Sequence, residues 1–355
     1  MRYERVVIEA IGYELAPVVV STEELEERLS AVFQRLRIPK GQLATLTGIH
    51  ERRWWQRGTR VSEGAVAAAV KALELSSLGA EDLGALIYAG VCRDHHEPAT
   101  ACVVAGELAA LGHEVPLHAA VFDLSNACLG VLNGMLDVAN RIELGQIEAG
   151  MVVASESARD IVEATIAALH EDSSLRRFSS SVATMTGGSG AVAMILRRGG
   201  EDEPRRLLGG VLETAPEHHR LCRWGTEVVG ESAGGSRTLR EFMVTDAVSV
   251  LEHGVALGRR TWQRFLTELR WQADRVDRTI CHQVGLRHRQ EILRALEVPP
   301  ERDFAIYSHL GNTGTVALPL ALAVAEERGF VASGHRVGLL GIGSGLNCLM
   351  LGVDW

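Results

Sequence analysis

Short apolar runs alternate along the chain with longer stretches of helical spacing, the pattern of an α/β protein. Residues 83–91 and 149–155 are apolar almost throughout and too brief for helices of their own, so they predict buried strands. Between them, Val121-Phe122-Asp123 predicts another strand. It gives way to a helix that passes through Gly134-Met135-Leu136-Asp137-Val138-Ala139 to about Leu144, with Gly145 as its stop. Residues 63–75 predict an amphipathic helix, and Gly187-Gly188-Ser189-Gly190 opens an apolar strand to Leu196. A second series follows, with helices over 255–269 and 315–328 and strands over 278–284, 304–307 and 337–340. It closes with Gly341-Ile342-Gly343-Ser344-Gly345 and an apolar run to Leu351.

Both series end alike, as strand, glycine–serine turn and strand. The polar residues 197–206, with Gly199, Gly200 and Pro204, separate them. The chain therefore reads as two similar halves, 1–198 and 205–355, packed together with a site at their junction. Residues 226–240, carrying Gly230, Gly234 and Gly235, predict a mobile loop. The polar, Ser-rich residues 171–181 predict a second loop, of the kind that lines or covers a site.

Composition narrows the class. With 355 residues, 46% hydrophobic and 23% charged, the chain is globular, with one or two domains. A net charge of −9 argues against a general nucleic-acid binder and leaves room for a local basic patch. Cys92, Cys102, Cys128, Cys222, Cys281 and Cys348 are scattered without a CxxC pair, which suits a reducing, cytoplasmic compartment rather than a disulfide framework or zinc site. The first residues, Met1-Arg2-Tyr3-Glu4-Arg5, hold no signal-peptide core, and the longest apolar run, 316–325, is too short to span a membrane and contains Pro319. It predicts a buried helix. The pairs His95-His96 and His218-His219 point their rings apart in strand or loop, so no metal site is expected.

Cys128 carries the first chemical signal. It stands where the strand gives way to the helix, in Leu124-Ser125-Asn126-Ala127-Cys128-Leu129-Gly130. Backbone N–H groups at such a junction face the sulfur, and the helix dipole favours thiolate over thiol. From Leu129 to Met135 six of seven residues are apolar or glycine, so the thiol is expected at the end of a tunnel. Taken alone, the same cysteine is also an ordinary small core side chain. His282 and Asn312 each follow an apolar strand, on the edge where α/β proteins hold ligands. Taken alone, they also fit a core histidine and the turn residue of Gly311-Asn312-Thr313-Gly314.

The set in order resembles the thiolase superfamily, in its 3-oxoacyl-ACP synthase III-like branch. The matching pieces are Asp123-Leu124-Ser125-Asn126-Ala127-Cys128, His282-Gln283-Val284-Gly285, Gly311-Asn312-Thr313-Gly314 and Gly341-Ile342-Gly343-Ser344-Gly345, preceded by Thr47-Gly48-Ile49-His50-Glu51-Arg52-Arg53. Within that branch the chain resembles the acyl-CoA head-to-head condensing enzymes of bacterial long-chain olefin and β-lactone pathways. Cys92-Arg93-Asp94-His95-His96-Glu97-Pro98-Ala99-Thr100 and the ending from Leu340 to Cys348 carry that likeness.

The resemblance implies a thiolase fold, a five-layered αβαβα sandwich of duplicated halves, and a homodimer. It implies no cofactor, with coenzyme A thioesters as substrates. Cys128 would take an acyl group from long-chain acyl-CoA, with its own N–H and that of Ser344 as the oxyanion hole. His282 and Asn312 would hold the enolate of a second acyl-CoA. Glu97, supplied across the dimer interface, would remove the α-proton without loss of CO2. Gly343 and Gly345 permit close backbone approach beside Ser344. Pro98 favours an extended Glu97 and suits the first turn of a helix over 99–111. Arg52, Arg53 and Trp54 would contact CoA phosphates or a carrier protein, or else form a solvated face over packed tryptophans. Two features depart from the pattern. Residues 107–119 run longer, and Gln42 and Leu43 stand where synthases that clamp the CoA adenine carry a tryptophan. The other readings are a decarboxylative 3-oxoacyl-ACP synthase III using malonyl-ACP, a cysteine-dependent thioesterase, and a partner subunit that keeps the fold.

Overall fold

The computed structural model describes residues 1–231, 235 and 237–355. Its strands are β1 (Val6–Leu15), β2 (Val18–Ser21), β3 (Glu51–Trp54), β4 (Ala85–Tyr88), β5 (Ala120–Asp123), β6 (Ala149–Glu156), β7 (Gly190–Arg198), β8 (Arg206–Thr214), β9 (Cys222–Glu231), β10 (Arg237–Thr245), β11 (Arg278–Cys281), β12 (Arg336–Gly343) and β13 (Asn347–Asp354). Its helices are α1 (Thr22–Arg28), α2 (Ser30–Leu36), α3 (Gln42–Thr47), α4 (Val61–Leu75), α5 (Thr100–Ala110), α6 (Gly130–Glu143), α7 (Arg159–Glu171), α8 (Leu175–Ser181), α9 (Ala247–Leu269), α10 (Leu286–Leu296), α11 (Tyr307–Leu310) and α12 (Ala317–Glu327).

Nine strands form one hydrogen-bonded series, β11-β12-β13-β8-β1-β7-β6-β4-β5. The series repeats itself about the β8–β1 join, where Val7 faces Arg206. From β1 outward, β7 and β6 are successively antiparallel and β4 and β5 then run parallel. From β8 outward, β13 and β12 are successively antiparallel and β11 is parallel to β12. The fifth place on that side holds only a parallel bridge between Thr279 and Asp303.

Strand side chains alternate, so each strand serves two layers. Leu86 and Tyr88 of β4 and Met151 and Val153 of β6 pack under α4 and α5. Ile87, Val152 and Ala154 turn the other way, onto α6 and α12. Leu339, Leu349 and Leu351 of the second half face this same inner cluster, whereas Leu340, Cys348 and Met350 face α9 and α10. The helices α6 and α12 are thus a middle layer covered by sheet on both sides, and the order of layers is αβαβα. Every residue of α12 from Ala317 to Ala325 is buried, as the apolar run there predicts. Each leucine so buried contributes about 1.5–3 kcal/mol. A further cluster of α1, α2, α3, β2, β3, α7 and α8 side chains, among them Leu25, Phe33, Trp54 and Phe178, closes one side of the molecule. No helix among the described residues is long and apolar enough to cross a membrane.

Four local expectations are corrected. Residues 226–231 and 237–240 are strand, not loop. β9 and β10 pair antiparallel from Thr245↔Cys222 out to Arg237↔Glu231, because Thr226, Val228, Val229, Thr238 and Val244 favour strand more than the glycines oppose it. Gly234 lies outside the described residues. Within 171–181, α8 forms, capped by the Ser174 side chain on the Arg177 N–H. Residues 304–307 do not form a strand. The Ile306 and Tyr307 N–H groups bond instead to the Gln283 side-chain oxygen, at 2.9 and 3.3 Å. The first glycine–serine turn follows a short 3₁₀ turn, Thr184–Thr186, rather than a strand.

Candidate active site

The chain passes from β5 to α6 through a tight turn. Ala127 takes φ of 46°, a conformation that costs a residue with a β-carbon on the order of 1–3 kcal/mol. Hydrogen bonds from Leu129 N–H to Asn126 O (2.9 Å) and from Gly130 N–H to Ala127 O (3.1 Å) hold it. The Asn126 side chain accepts from Asn347 Nδ2 at 3.0 Å and donates to Asn133 Oδ1 at 2.7 Å. Asn347 belongs to β13, so the second half of the chain pins the turn that presents Cys128.

The expected thiolate is corrected. The N–H groups of Leu129 and Gly130 are used within the turn, and that of Val131 bonds to Thr315 Oγ1 at 2.8 Å. Burial pushes the Cys128 thiol up to about 12, and Cys222 and Glu156 act in the same direction. The opposing influence is the residue's own N–H, which bonds to no backbone oxygen among the described residues. Desolvation outweighs the helix end here because the α6 donors are already engaged.

His282 continues β11 by one step, its N–H donating to Leu340 O at 3.0 Å. It is 5% exposed, and its Nδ1 has no partner among the described residues. Burial, reinforced by the neighbouring His288, lowers its ring to about 3, so the imidazole is neutral at pH 7. Asn312 is bridged to the other half: its N–H donates to Thr186 O and its carbonyl accepts from Gly188 N–H, both at 2.9 Å. Position 188 must be glycine, since a β-carbon there would lie 2.0 Å from Leu310 O. The Asn312 Oδ1 accepts from Gly314 N–H at 3.1 Å, which leaves Nδ2 as the group available to donate.

Ser344 sits in the turn between β12 and β13. A β-carbon on Gly343 would come within 3.5 Å of the Cys128 nitrogen, so this turn lies directly against Cys128. Gly345 takes φ of 141°, and Leu346 and Ala215 exchange two backbone hydrogen bonds, at 3.0 and 2.8 Å, that fix the turn's far side. Cys128, His282, Asn312, Gly343 and Ser344 all line one cavity of about 810 Å³, within the range of roughly 300–1,000 Å³ for ligand pockets. Ile161, Val182, Phe242, Met243, Leu251 and Leu346 make its walls mainly apolar. Gly345 shapes the turn without lining the cavity.

Glu97 is not brought to Cys128 within one chain. It is exposed and lies outside the cavity lining. Its loop is nevertheless tied down. Asp94 accepts the Val61 and Ser62 N–H groups at the start of α4 (2.8 and 3.3 Å), and Arg93 reaches Asp123 at 3.7 Å. The α5 N-cap is Ala99, so Pro98 precedes the helix rather than occupying its first turn.

The alternation of β3 turns two of the three expected CoA contacts inward. Arg52 and Trp54 point inward, each 1% exposed. Arg52 donates to Thr22 Oγ1 at 2.9 Å, and burial lowers its guanidinium to about 10. Trp54 donates to Gly187 O at 3.2 Å. Arg53 is half-buried and gives its carbonyl to Ser189 N–H at 2.7 Å. None of the three lines the cavity, whereas Arg223 and Arg287 do. Among the described residues no group of three or more His, Cys, Asp or Glu is placed to hold a metal.

The family described as 3-Oxoacyl-[acyl-carrier-protein (ACP)] synthase III C terminal matches residues 266–355, the stretch that holds His282, Asn312 and Ser344. An acyl-CoA:acyl-CoA alkyltransferase from Shewanella oneidensis is 54% identical, over 100% of both chains. This chain belongs to the acyl-CoA:acyl-CoA alkyltransferase family. A second member, from Xanthomonas campestris, is 34% identical over 100% of both chains. The solved structure of a cysteine-to-serine variant of Xanthomonas campestris OleA, with bound lauric acid and lauroyl-CoA, has a TM-score of 0.89 at 34% identity, covering 99% of this chain and 100% of that one. The fold is therefore the thiolase fold expected from the motifs, and the protein is an acyltransferase of that superfamily.

Two residues of this alkyltransferase's site were not singled out from the sequence. Glu156 ends β6 and lines the cavity at 4% exposure. Its signal was an acidic residue closing an otherwise apolar strand. His288, in the first turn of α10, lines the cavity beside His282, and burial lowers its ring to about 4. Both rings are therefore held neutral well below the usual histidine value of about 6.5. Between about 6.5 and these lowered values the unfolded chain binds protons that the folded alkyltransferase does not, so stability is fully present above about pH 6.5 and is lost as pH falls towards 4 for His288 and 3 for His282. The melting temperature should drop through that window, and His282→Asn should flatten the drop. An unchanged slope in the variant would assign the loss to other groups.

Proposed function

We propose that this alkyltransferase joins two long-chain acyl-CoA molecules by a Claisen condensation that releases no CO2. The observation that carries this reading is the convergence of Cys128, His282, Asn312 and the Ser344 turn on one largely apolar cavity. The end-to-end likeness to proteins named acyl-CoA:acyl-CoA alkyltransferase supports it. In the first half-reaction the Cys128 sulfur attacks a thioester carbonyl. A new S–C bond forms, the bond to CoA breaks, and the proton that Cys128 gives up leaves with the CoA thiol. The Cys128 and Ser344 N–H groups hold the oxyanion, and one such donor is typically worth about 10²–10³ in kcat.

In the second half-reaction Glu97 takes the α-proton of another acyl-CoA. The neutral His282 ring and Asn312 Nδ2 donate to the enolate oxygen. The α-carbon attacks the acyl-Cys128 carbonyl, a C–C bond forms, and Cys128 leaves and regains a proton. The product is a 2-alkyl-3-oxoacyl thioester, a precursor for olefin, ketone or β-lactone. The exposure of Glu97 on its own chain favours a homodimer in which Glu97 of the partner subunit completes the site. The half-exposed edge strand β5 and the exposed Leu117 give such a partner a surface to cover. A thiol, two thioesters and a carboxylate suffice for this chemistry, so CoA enters as part of the substrates and no resident cofactor is called for. All six cysteines are free, which suits the reducing cytoplasm.

Product analysis by mass spectrometry tests the reading. Purified protein given a long-chain acyl-CoA alone should form the condensed β-keto acid, or the ketone from its decarboxylation. Product that appears only when malonyl-ACP is added would make this a decarboxylative synthase, and free fatty acid alone would make it a thioesterase.

A further inference from the structure

We infer that Glu156 is a positioning residue for the condensation half-reaction, holding the loop that carries Glu97 and the loop that carries Asn312 in one arrangement. The inference rests on the acyl-CoA condensation read above. Glu156 is buried at the end of β6, and no salt bridge reaches it among the described residues. A buried carboxylate without a cation is costly unless hydrogen bonds replace the lost water. Here one loop supplies the hydrogen bonds and a second packs against the same side chain. The Val91 N–H donates to one carboxylate oxygen at 2.9 Å and the Cys92 N–H to the other at 3.2 Å. These residues begin the loop that runs to Glu97. The segment that runs from Asn312 to Thr315 lies against the same side chain, and its Thr315 backbone favours the ionised form against the burial that raises the carboxyl's pKa. The fit is close, since a β-carbon on Gly314 would lie 3.2 Å from Glu156 Cγ.

None of these bonds goes to the Cys128 turn, whose own restraints are Asn126, Asn347 and Asn133. Glu156 thus ties the Asn312 segment of its own site to the loop whose Glu97 serves the neighbouring site of the dimer read above, and it makes no hydrogen bond to the Cys128 turn. Its removal should separate the half-reactions. In Glu156→Gln the amide keeps the shape, but its nitrogen meets an N–H donor that the carboxylate oxygen accepted.

The test follows the two steps separately in the full-length protein. Acyl transfer to Cys128 is timed by intact-protein mass after mixing with a long-chain acyl-CoA, and condensed product is timed in the same samples. Glu156→Gln should condense about 100-fold more slowly, the loss that a displacement of about 1 Å brings, and change acylation by about tenfold or less, since Glu156 lines the same cavity as Cys128. Parallel loss of both steps, which a merely structural role would give, overturns the inference, as does undiminished condensation. If Glu156→Gln does not fold, Glu156→Asp, which keeps the charge but withdraws it from the loops, is read by the same split. A wild type that acylates but never condenses overturns the parent reading and this inference with it, whereas a wild type that condenses beside a variant without the split overturns the inference alone.

Discussion

Cys128→Ala should stop both half-reactions: no acyl adduct in intact mass spectra, and condensation reduced by at least about 10⁴-fold. The size of the effect follows from the geometry. The strained turn at Ala127, the N–H of Cys128 and the backbone of the Ser344 turn are assembled around one sulfur. Cys222 lines the same cavity, but it begins β9 and lacks that setting. Alanine fits the vacated space, so the variant should melt close to wild type. An acyl adduct that persists in Cys128→Ala would move the nucleophile to another thiol, with Cys222 the first to examine.

Glu97→Ala should give the complementary result. Cys128 is still acylated and the adduct accumulates, while condensed product falls by about 10²–10⁴-fold, the range for loss of a general base. The dimer reading adds a second expectation. Mixing Glu97→Ala with Cys128→Ala and letting subunits exchange should restore about a quarter of wild-type activity, since half the dimers are hybrids and each hybrid has one complete site of two. Were Glu97 to act within its own chain, the mixture would stay inactive. Equal condensation by Glu97→Ala and wild type would remove Glu97 from the chemistry altogether.

The residues that meet at the cavity were legible in the sequence because each sits in a short motif at a change of element. Cys128 stands between β5 and α6, His282 just beyond β11, and Asn312 and Ser344 in glycine-bounded turns. Chain direction and strand length suffice to bring such positions to one sheet edge. The state of those groups was not legible. The helix end at Cys128 predicts a low thiol pKa, yet burial by side chains far away in the sequence pushes it up to about 12, and Thr315 takes the Val131 N–H at the start of α6. The Arg52–Trp54 stretch shows the same limit. Three adjacent residues look alike on paper, and the pleat of β3 buries two of them.

Gln283 shows how one side chain can replace an element. Residues 304–307 have the composition of a strand, and the Ile306 and Tyr307 N–H groups instead donate to the Gln283 side-chain oxygen. Glu156 is a similar case. Its only local mark is an acidic residue closing an apolar strand, and its setting exists only where the Val91 and Cys92 N–H groups and the Gly314 backbone meet around it.

By itself the sequence determined the α/β class, the duplicated order of strands and helices, and the motifs that place Cys128, His282, Asn312 and Ser344 at one cavity. These follow from periodicity and from motifs a few residues long. The tertiary structure alone decided which charges are desolvated, which N–H groups remain free, and which loops share a carboxylate. Those depend on distances between residues far apart in the chain, and electrostatic and hydrogen-bond energies change steeply over the few ångströms that only packing sets.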